Sequence, residues 1–342
     1  MSRSVLVTGG AGFIGSHVCE RLLSRGDEVL CLDNLDDYYD PDIKKAHLDL
    51  LSRYPEFTSL VGDIRNAEFL EMVANRYRID GIVHLAARAG VRPSIQHPGL
   101  YVDVNLNGTT QLLEMARNHS IDHFVFASSS SVYGDRNTVP FHEDDPVDKP
   151  VSPYAATKKA GEVLCHAFHH LHGMNIFCLR YFTVYGPRQR PEMAIRRFTS
   201  LIQSGQPIPM FGDGSMERDF TYIDDIVDGT ISALDRVNGY EILNLGNHRS
   251  IRLDSLIKLI GQSCGKEVEI QRLPAPAGDV SKTCASIEKS ARVLDYSPST
   301  SIEEGIDQFV SWFNTENQQH LGKKRYLHER SIEDPHGSGR PG

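Results

Sequence analysis

The chain has 342 residues, of which 40% are hydrophobic and 24% charged, a composition typical of globular proteins. Its formal net charge of -9 argues against a nucleic-acid-binding surface, and no apolar run is long enough to predict a membrane span. Its six cysteines are scattered without metal-ligand spacing, so we expect free thiols in a reducing, cytoplasmic environment rather than disulfides.

The first predicted element is a short apolar strand, Ser4–Thr8, which leads directly into the glycine-rich residues 9–15. A helical pattern follows over residues 16–25. Strand, glycine turn and helix in this order are the context in which glycines bring a dinucleotide pyrophosphate to a helix N-terminus. The residues that this arrangement assigns to a cofactor are Gly9, Gly12, Phe13, Ile14 and Gly15.

The second and third predicted strands each end near a carboxylate. Strand Glu28–Asp33 ends where an acid can bind the adenosine ribose diol and repel a 2′-phosphate, so we predict NAD rather than NADP. Strand Phe57–Val61 is followed by an acid suited to the adenine edge, although either acid could instead cap a helix. The residues predicted to contact the adenosine are Asp33, Asn34, Asp63 and Ile64.

Two more strands, over residues 81–87 and 123–127, flank a predicted helix over residues 104–118. We interpret His84, which lies in the middle of an apolar run, as a core histidine. Strand and helix patterns alternate, so we predict an α/β fold with a doubly wound parallel sheet, the Rossmann arrangement. The further residues predicted to lie along the cofactor are Leu85, Ala86, Ala87 and Asn105.

A tyrosine and a lysine, Tyr154 and Lys158, lie one helical turn apart in a segment with helix-start signals. Ser152 is a good N-cap and Pro153 suits the first helical position. A neighbouring ammonium or a nicotinamide cation favours the phenolate, which predicts a general base. A Tyr-x-x-x-Lys pair alone is usually a solvated pair, so the interpretation depends on the other motifs.

Taken together, these motifs resemble the extended short-chain dehydrogenase/reductase family, and its nucleotide-sugar 4-epimerases in particular. The resemblance covers residues 4–316. The motifs that carry it are Thr8-Gly-Gly-Ala-Gly-Phe-Ile-Gly15, Asp33, Gly62-Asp63, Leu85-Ala-Ala87, Ser-Ser-Val-Tyr-Gly134 and Tyr154-x-x-x-Lys158.

The resemblance implies roles for the residues of the last two motifs. Tyr154 is the expected base, and Lys158 is expected to hold the nicotinamide ribose and lower the tyrosine pKa. Ser129 is expected to hydrogen-bond the sugar O4, with Ser130 beside it. Related dehydratases and decarboxylases carry one or two carboxylates just before Val-Tyr-Gly134, where this chain has Ser130-Ser131. Reversible oxidation at C4 is therefore the expected chemistry.

Residues 180–193 resemble those of the UDP-glucuronate 4-epimerases. There Thr183 stands where UDP-glucose 4-epimerases usually have Asn. By this resemblance Thr183 and Arg190 bind the uronate carboxylate, which a guanidinium can hold bidentately. The alternative is that Arg188 and Arg190 are rim charges or bind the diphosphate. The resemblance also assigns residues to the nucleotide: Pro209, Met210 and Phe211 at the uracil, Arg218 at the diphosphate and Asp279 at the uridine ribose.

The predicted function is reversible C4 epimerisation of UDP-glucuronate to UDP-galacturonate through a 4-keto intermediate with bound NAD. The alternatives are a UDP-glucose or UDP-N-acetylglucosamine 4-epimerase and, more remotely, a non-catalytic dinucleotide sensor. We expect an NAD domain (1–180 and about 223–250), a smaller discontinuous UDP-sugar domain (about 181–222 and 251–316) and a disordered tail (317–342). We also expect a cytoplasmic homodimer with no metal site and no nucleic-acid or membrane partner, since the histidines lack metal-ligand spacing.

Overall fold

The computed structural model describes residues 2–136, 138–274 and 280–316. Strands and 3₁₀, π and α helices alternate along the chain. The strands are β1 (Ser4–Thr8), β2 (Glu28–Asp33), β3 (Phe57–Val61), β4 (Gly81–His84), β5 (His123–Ser129), β6 (Asn175–Tyr181), β7 (Thr183–Tyr185), β8 (Ile208–Phe211), β9 (Glu217–Tyr222), β10 (Tyr240–Leu245), β11 (Ser250–Arg252) and β12 (Ile270–Leu273).

The helices cover both faces of the central sheet. They are α1 (Phe13–Arg25), α2 (Pro41–Leu51), α3 (Ala67–Arg76), α4 (Val91–Gln96), α5 (Pro98–Val102), α6 (Gly108–Asn118), α7 (Pro153–His172), α8 (Ala194–Gln203), α9 (Ile223–Arg236), α10 (Leu253–Cys264), α11 (Glu288–Leu294) and α12 (302–316). A π-helix, Asp103–Asn107, precedes α6, and a 3₁₀ helix, Ser130–Tyr133, follows β5. Within the described residues, none of the helices is both long and apolar enough to cross a membrane.

Seven strands form the central sheet in the order β10-β6-β5-β4-β1-β2-β3. All of its pairs are parallel, as the doubly wound prediction requires. The described residues also form a three-stranded sheet, β11-β9-β7, and a two-stranded sheet, β12-β8. These small sheets draw their strands from the parts of the chain that the sequence assigns to a second domain, and that division stays a prediction.

Every residue of β1 is buried, because helices pack on both faces of the sheet. Val5 and Val7 belong to a core cluster that also contains side chains of α1, α8, α9 and α10. Leu6 points to the opposite face, into a cluster with side chains of α3, α6 and α7. The helices and strands therefore leave only the ends of the sheet open, and ligands of such folds bind at the carboxyl ends of the strands.

The largest differences from the predicted elements occur at this carboxyl edge. β4 ends at His84 instead of Ala87: the amide of Leu85 makes the last bond to β1, at the carbonyl of Thr8, and the chain then leaves the sheet. β5 runs two residues further than predicted, because Ser128 and Ser129 pair with Arg180 and Tyr181 of β6. Extended pairing of this kind depends on both strands, so neither strand's own sequence reveals it.

Candidate functional site

A cavity of about 420 Å³ opens at the carboxyl edge of the central sheet. Its walls come from the glycine turn after β1, the ends of β2 to β6 and the first turns of α7. Most of the predicted site residues meet there. Those that line it are Gly9, Gly12, Phe13, Ile14, Gly15, Asp33, Asn34, Asp63, Ile64, Leu85, Ala86, Ala87, Ser129, Ser130, Tyr154, Lys158, Thr183 and Arg190.

The glycine turn has the shape that a dinucleotide pyrophosphate needs. Gly9 has φ +70, and a Cβ there would come within 2.7 Å of the amide nitrogen of Ala86. A Cβ on Gly15 would overlap the carbonyl oxygen of Gly9. Gly12 is the N-cap of α1 and offers no side-chain cap to the first turn of the helix. The first amides of α1 are therefore left for an anionic group, so the residues present fit NAD.

The carboxylate of Asp33, predicted to bind the adenosine ribose, lies at the end of β2 beside this turn and is largely buried. It accepts hydrogen bonds from the amides of Ala11 (3.2 Å) and Leu35 (2.9 Å). It also accepts one from the ammonium of Lys44, at 3.3 Å, and Lys44 lines the cavity too. Sequence reasoning missed Lys44, because a lysine on α2 looks like any solvent-facing helix residue until the helix is docked.

Asp63 lies beside Asp33 at the end of β3. The Arg65 guanidinium lowers the pKa of Asp63 to about 2, and the amide of Asn34 donates to the Asp63 carboxylate at 3.1 Å. The side chain that caps α3 belongs to Asn66. The alternative interpretation of Asp63 as the cap of that helix is therefore wrong, and its place in the cavity wall supports the adenosine assignment.

Helix α7 begins as the sequence predicts. The Ser152 hydroxyl accepts a hydrogen bond from the amide of Ala155 at 3.1 Å, and Pro153 occupies the first turn. The ammonium of Lys158 donates to the Ala127 carbonyl at 2.7 Å and lies above the Phe126 ring. Cap and lysine together hold the first two turns of α7 against the end of β5.

The proton affinities of Tyr154 and Lys158 differ from the sequence expectation. Burial raises the pKa of Tyr154, and the Ser129 hydroxyl and the charge of Arg190 oppose that rise. Burial also lowers the pKa of Lys158 to about 8. The expected lowering of the tyrosine pKa by Lys158 is therefore not seen in the protein alone, because desolvation of the phenol outweighs the neighbouring charges.

The serine-rich end of β5 turns sharply into the cavity. Ser129 caps the 3₁₀ helix, and its hydroxyl accepts a hydrogen bond from the amide of Ser131 at 3.2 Å. Ser130, also in the cavity wall, is the first residue of that helix. Ser128 also borders the cavity, and its hydroxyl donates to Glu162 at 2.6 Å. The serine cluster therefore lines the cavity and is tied at Ser128 to α7 behind it.

The far end of the cavity carries two guanidinium groups that share one aromatic ring. Arg88 and Arg190 lie 5.1 Å and 5.8 Å from the centre of the Tyr38 ring. Arg88 pairs with Asp36, and Arg190 pairs with Glu192 at 3.2 Å. Arg88 and Tyr38 were not among the predicted site residues, and the signal that could have found Arg88 is its place directly after Leu85-Ala-Ala87.

Arg188 has a different environment from Arg190. It has φ +63, and its guanidinium pairs with Glu20 and reaches the Ser16 hydroxyl at 3.4 Å, both on α1. Arg190, the arginine predicted to bind the substrate carboxylate, lines the cavity, and Arg188 is not among the lining residues. The two arginines named in the alternative interpretation therefore have different surroundings.

Several predicted residues lie behind or beside the cavity. Asn105 is buried and bonds both backbone groups of Arg88, at 2.8 Å and 3.1 Å, so it holds the loop after β4. His84 is a core histidine, as predicted, with hydrogen bonds to Thr8 (2.7 Å) and Thr109 (2.9 Å). Neither side chain is free to meet a substrate.

The predicted uracil and diphosphate residues lie on the small sheets, and within the described residues they do not line this cavity. Pro209 and Phe211 on β8 are half-buried, and Arg92 lies over the Phe211 ring at 5.2 Å. Met210 is 1% exposed and is therefore enclosed by protein. Arg218 lies on β9 and donates to the Glu217 carbonyl. Asp279 lies outside the described residues, and these assignments stay predictions.

Comparison with known proteins places these features among characterised relatives. Residues 5–246 match the family described as the NAD dependent epimerase/dehydratase family. A UDP-glucuronate 4-epimerase of Thermodesulfobacterium geofontis is 46% identical over 308 residues, covering 90% of this chain and 95% of that protein. UDP-glucuronate 4-epimerase 5 of Arabidopsis thaliana is 42% identical over 328 residues, covering 91% of this chain and 75% of that protein.

Solved structures match over nearly the same span. The UDP-glucuronic acid 4-epimerase of Bacillus cereus, in complex with UDP-glucuronic acid and NAD, is 36% identical with a TM-score of 0.85. The alignment covers 91% of this chain and 99% of that one. A UDP-glucose 4-epimerase of Thermotoga maritima with UDP-glucose is 31% identical with a TM-score of 0.85, covering 92% of this chain and 99% of that one.

Proposed function

The chain belongs to the NAD dependent epimerase/dehydratase family, and we propose that it is an NAD-dependent UDP-sugar 4-epimerase that interconverts UDP-glucuronate and UDP-galacturonate. The observation that carries this proposal is that one cavity contains both a dinucleotide cradle and the Ser129, Tyr154 and Lys158 side chains. A non-catalytic dinucleotide sensor would not need these three groups around the same space.

The side chains divide the chemistry among them. The glycine turn and Asp33 would hold NAD, which would supply the hydride acceptor for C4 of the sugar and the donor for its return to the opposite face of the ring. Tyr154 as phenolate takes the proton of O4 and later gives it back. Ser129 hydrogen-bonds O4 and relays or steadies that proton. Lys158 holds the nicotinamide ribose from one turn away. No external oxidant is consumed.

Burial explains why this arrangement needs its ligands to become reactive. The pKa of Tyr154 is raised in the protein alone, so the phenol keeps its proton near neutral pH. The positive charge of a bound nicotinamide would favour the phenolate. The base would therefore form when the cofactor is in place.

The choice of a uronate rests on Thr183 and Arg190. Thr183 is the first residue of β7, Arg190 lies in the loop after it, and both line the cavity. The guanidinium of Arg190 is held by half-exposed Glu192, an ion pair that a substrate carboxylate can replace. Holding the carboxylate also matters for the intermediate, because a 4-keto uronate is a β-keto acid that readily loses carbon dioxide. A neutral hexose would leave this guanidinium without a ligand partner.

We also propose a cytoplasmic homodimer. Val102 at the end of α5 and Val163 on α7 are 49% and 55% exposed, which supports a helix-paired interface. All six cysteines are free, in keeping with a reducing compartment. Light scattering during size-exclusion chromatography measures the molar mass and so the oligomeric state. A monomer at micromolar concentration would contradict the dimer.

The deciding experiment for function is incubation of the purified protein, without added oxidant, with one sugar nucleotide at a time. UDP-glucuronate, UDP-glucose and UDP-N-acetylglucosamine are supplied separately, and products are resolved by proton NMR. We expect conversion of UDP-glucuronate to UDP-galacturonate. Conversion of the neutral sugars instead would keep the mechanism and reject the uronate assignment. No conversion, together with no transient absorbance of reduced nicotinamide, would favour the sensor.

A further inference from the structure

A buried ion pair lies directly behind the candidate catalytic groups. Glu162 and Arg180 are each 1% exposed. The guanidinium of Arg180 bonds both oxygens of the Glu162 carboxylate, with Nε to Oε1 at 2.8 Å and Nη2 to Oε2 at 2.9 Å. Buried pairs of this kind contribute little net stability compared with well-packed apolar residues, so their presence asks for another reason.

The pair joins the three segments that carry the chemistry. Glu162 lies on α7, one turn beyond Lys158. Its Oε1 also accepts the Ser128 hydroxyl at 2.6 Å, and Ser128 precedes Ser129 in β5. Arg180 lies near the end of β6, shortly before Thr183. The Glu162 carboxylate therefore connects α7, which carries Tyr154, to β5, which carries Ser129, and to β6, which leads to Thr183.

Arg180 also supports the turn that follows the serines. Its guanidinium lies 4.8 Å from the centre of the Tyr133 ring, the last residue of the 3₁₀ helix. The Tyr133 hydroxyl in turn donates to Asn244 at 2.7 Å, and Arg180 donates to the Glu143 carbonyl at 3.2 Å. The Arg180 guanidinium therefore helps to fix the position of the 3₁₀ helix that follows Ser129.

We propose that Glu162 and Arg180 are positioning residues of the active site, which hold the Ser129 hydroxyl in register with Tyr154 and place a paired carboxylate one helical turn from Lys158. This proposal rests on the proposed epimerase function, since it needs a reaction at these groups. It assigns a role to two residues that touch neither substrate nor cofactor.

The second part of the role is electrostatic. Burial lowers the pKa of Lys158 to about 8, while Cys165 and Glu162 raise it. His84 feels the Lys158 charge, but burial lowers its own pKa to about 3, so it stays neutral at working pH. The titratable groups that interact with the ammonium are Cys165 and Glu162 on α7 and His84 on β4. Behind them, Lys159 and Arg180 pair with Glu162, and Cys178 on β6 lies beside Cys165.

The first variant is Ser128→Ala, which cuts the link between the ion pair and β5 without leaving a buried charge unpaired. A hydrogen bond to a charged group is typically worth one to two powers of ten, so we expect kcat to fall about tenfold. KM for the UDP-sugar should stay within about twofold, because no substrate contact is removed. The matched control is Ser232→Ala on α9, away from the cavity. It removes a hydroxyl that donates to the Leu294 carbonyl of α11, and it should keep the wild-type kcat.

The second variant replaces both charges at once, Glu162→Met with Arg180→Met. Glu162→Gln alone leaves a buried guanidinium unpaired and can prevent folding, whereas removal of both charges is often neutral. We expect the double variant to melt near the wild type and still to show a kcat about tenfold lower or worse. The alkaline limb of its kcat profile should move to lower pH, because Lys158 loses the carboxylate that favours its ammonium.

The outcomes separate the two proposals. Wild-type protein without turnover on any of the three UDP-sugars rejects the epimerase itself. Active wild type, with Ser128→Ala as active as Ser232→Ala, rejects the positioning role whether or not the double variant folds. A folded double variant with wild-type kcat and an unmoved alkaline limb makes the pair purely structural.

Discussion

At Tyr154 and Lys158, burial pushes the pKa values in opposite directions, and both shifts favour the uncharged side chain. The pKa of the phenol is raised, and that of the ammonium is lowered to about 8. A buried site without its ligands therefore resists carrying the charges that the reaction requires. Ser129, Arg190 and Glu162 oppose this tendency, so we expect their replacement to change the catalytic rate.

The first residue-scale prediction concerns Tyr154. Tyr154→Phe removes the hydroxyl that exchanges the O4 proton and should lower kcat by about 10²–10⁴-fold. NAD should remain bound in the purified protein, because the cradle is untouched. Proton NMR of the products and the nucleotide content of the protein test both points. Tyr54→Phe, a hydroxyl removed beside Ser24, serves as control. Residual turnover within tenfold of wild type would contradict the role of Tyr154 as base.

The second residue-scale prediction concerns substrate choice. Arg190→Met should lower kcat/KM for UDP-glucuronate by roughly 10–100-fold, the usual value of a charge-assisted hydrogen bond, and leave kcat/KM for a neutral UDP-sugar nearly unchanged. Arg188→Met is the matched control from the same loop, because Arg188 pairs with Glu20 on α1. An equal loss for charged and neutral sugars in Arg190→Met would instead indicate binding of the diphosphate.

Among the elements, α7 matters most, since it presents the base from its first turn. Its N-cap, Ser152, is followed almost immediately by Tyr154, and Lys158 is anchored to the Ala127 carbonyl one turn later. The ring of Tyr101 lies edge-on to that of Tyr154, with centroids 6.2 Å apart. A loose first turn would therefore change both the direction of the phenol and its packing.

The element-scale prediction compares two helix caps. Ser152→Ala and Asn66→Ala each remove an N-cap side chain, from α7 and α3, and should each cost about 1 kcal/mol of unfolding free energy. Only Ser152→Ala should also lower kcat, by about tenfold, because a small misplacement of a catalytic group is costly. Urea midpoints and kcat at saturating NAD give the comparison. Equal kcat in the two variants would show that the α7 cap has no catalytic consequence.

For the whole molecule, stability in acid depends on imidazoles that folding keeps neutral. Burial lowers the pKa of His17 and His84 to about 3 and that of His47 to about 4. The unfolded chain binds protons at these groups from about pH 6.5, so stability is lost as pH falls below that value. Asp219, whose pKa is raised to about 6 by burial, has the opposite effect between pH 6 and 4.

The prediction is a net loss of about 2.7 kcal/mol of unfolding free energy per pH unit between pH 6 and 5, since three imidazoles and one opposing carboxyl leave a net uptake of about two protons on unfolding. Urea unfolding at a series of pH values measures this slope. His47→Gln should reduce this slope by about 1.4 kcal/mol per pH unit. The control substitution is His170→Gln, at an exposed position of α7. An unchanged slope in His47→Gln would contradict the neutral, buried state of His47.

Local patterns in the sequence were enough for the fold class and for the glycine-turn side of the cavity. Strand Ser4–Thr8, the glycine turn and the cap of α7 are each specified within one short segment, by periodicity, backbone freedom and a capping hydroxyl. These features therefore appear in the structure as predicted. The family resemblance added the roles of the serine, tyrosine and lysine, which no spacing alone assigns.

Only the tertiary structure decided the contacts between distant segments and the effects of burial. Lys44 reaches Asp33 from α2, and Glu162 meets Arg180 across the face of the sheet. Arg190 enters the cavity whereas Arg188 turns to α1. A sequence gives the charges of such groups but neither their distances nor their exposure to water. Both quantities govern Coulomb and desolvation energies, so pairing and pKa direction follow only once the chain is folded.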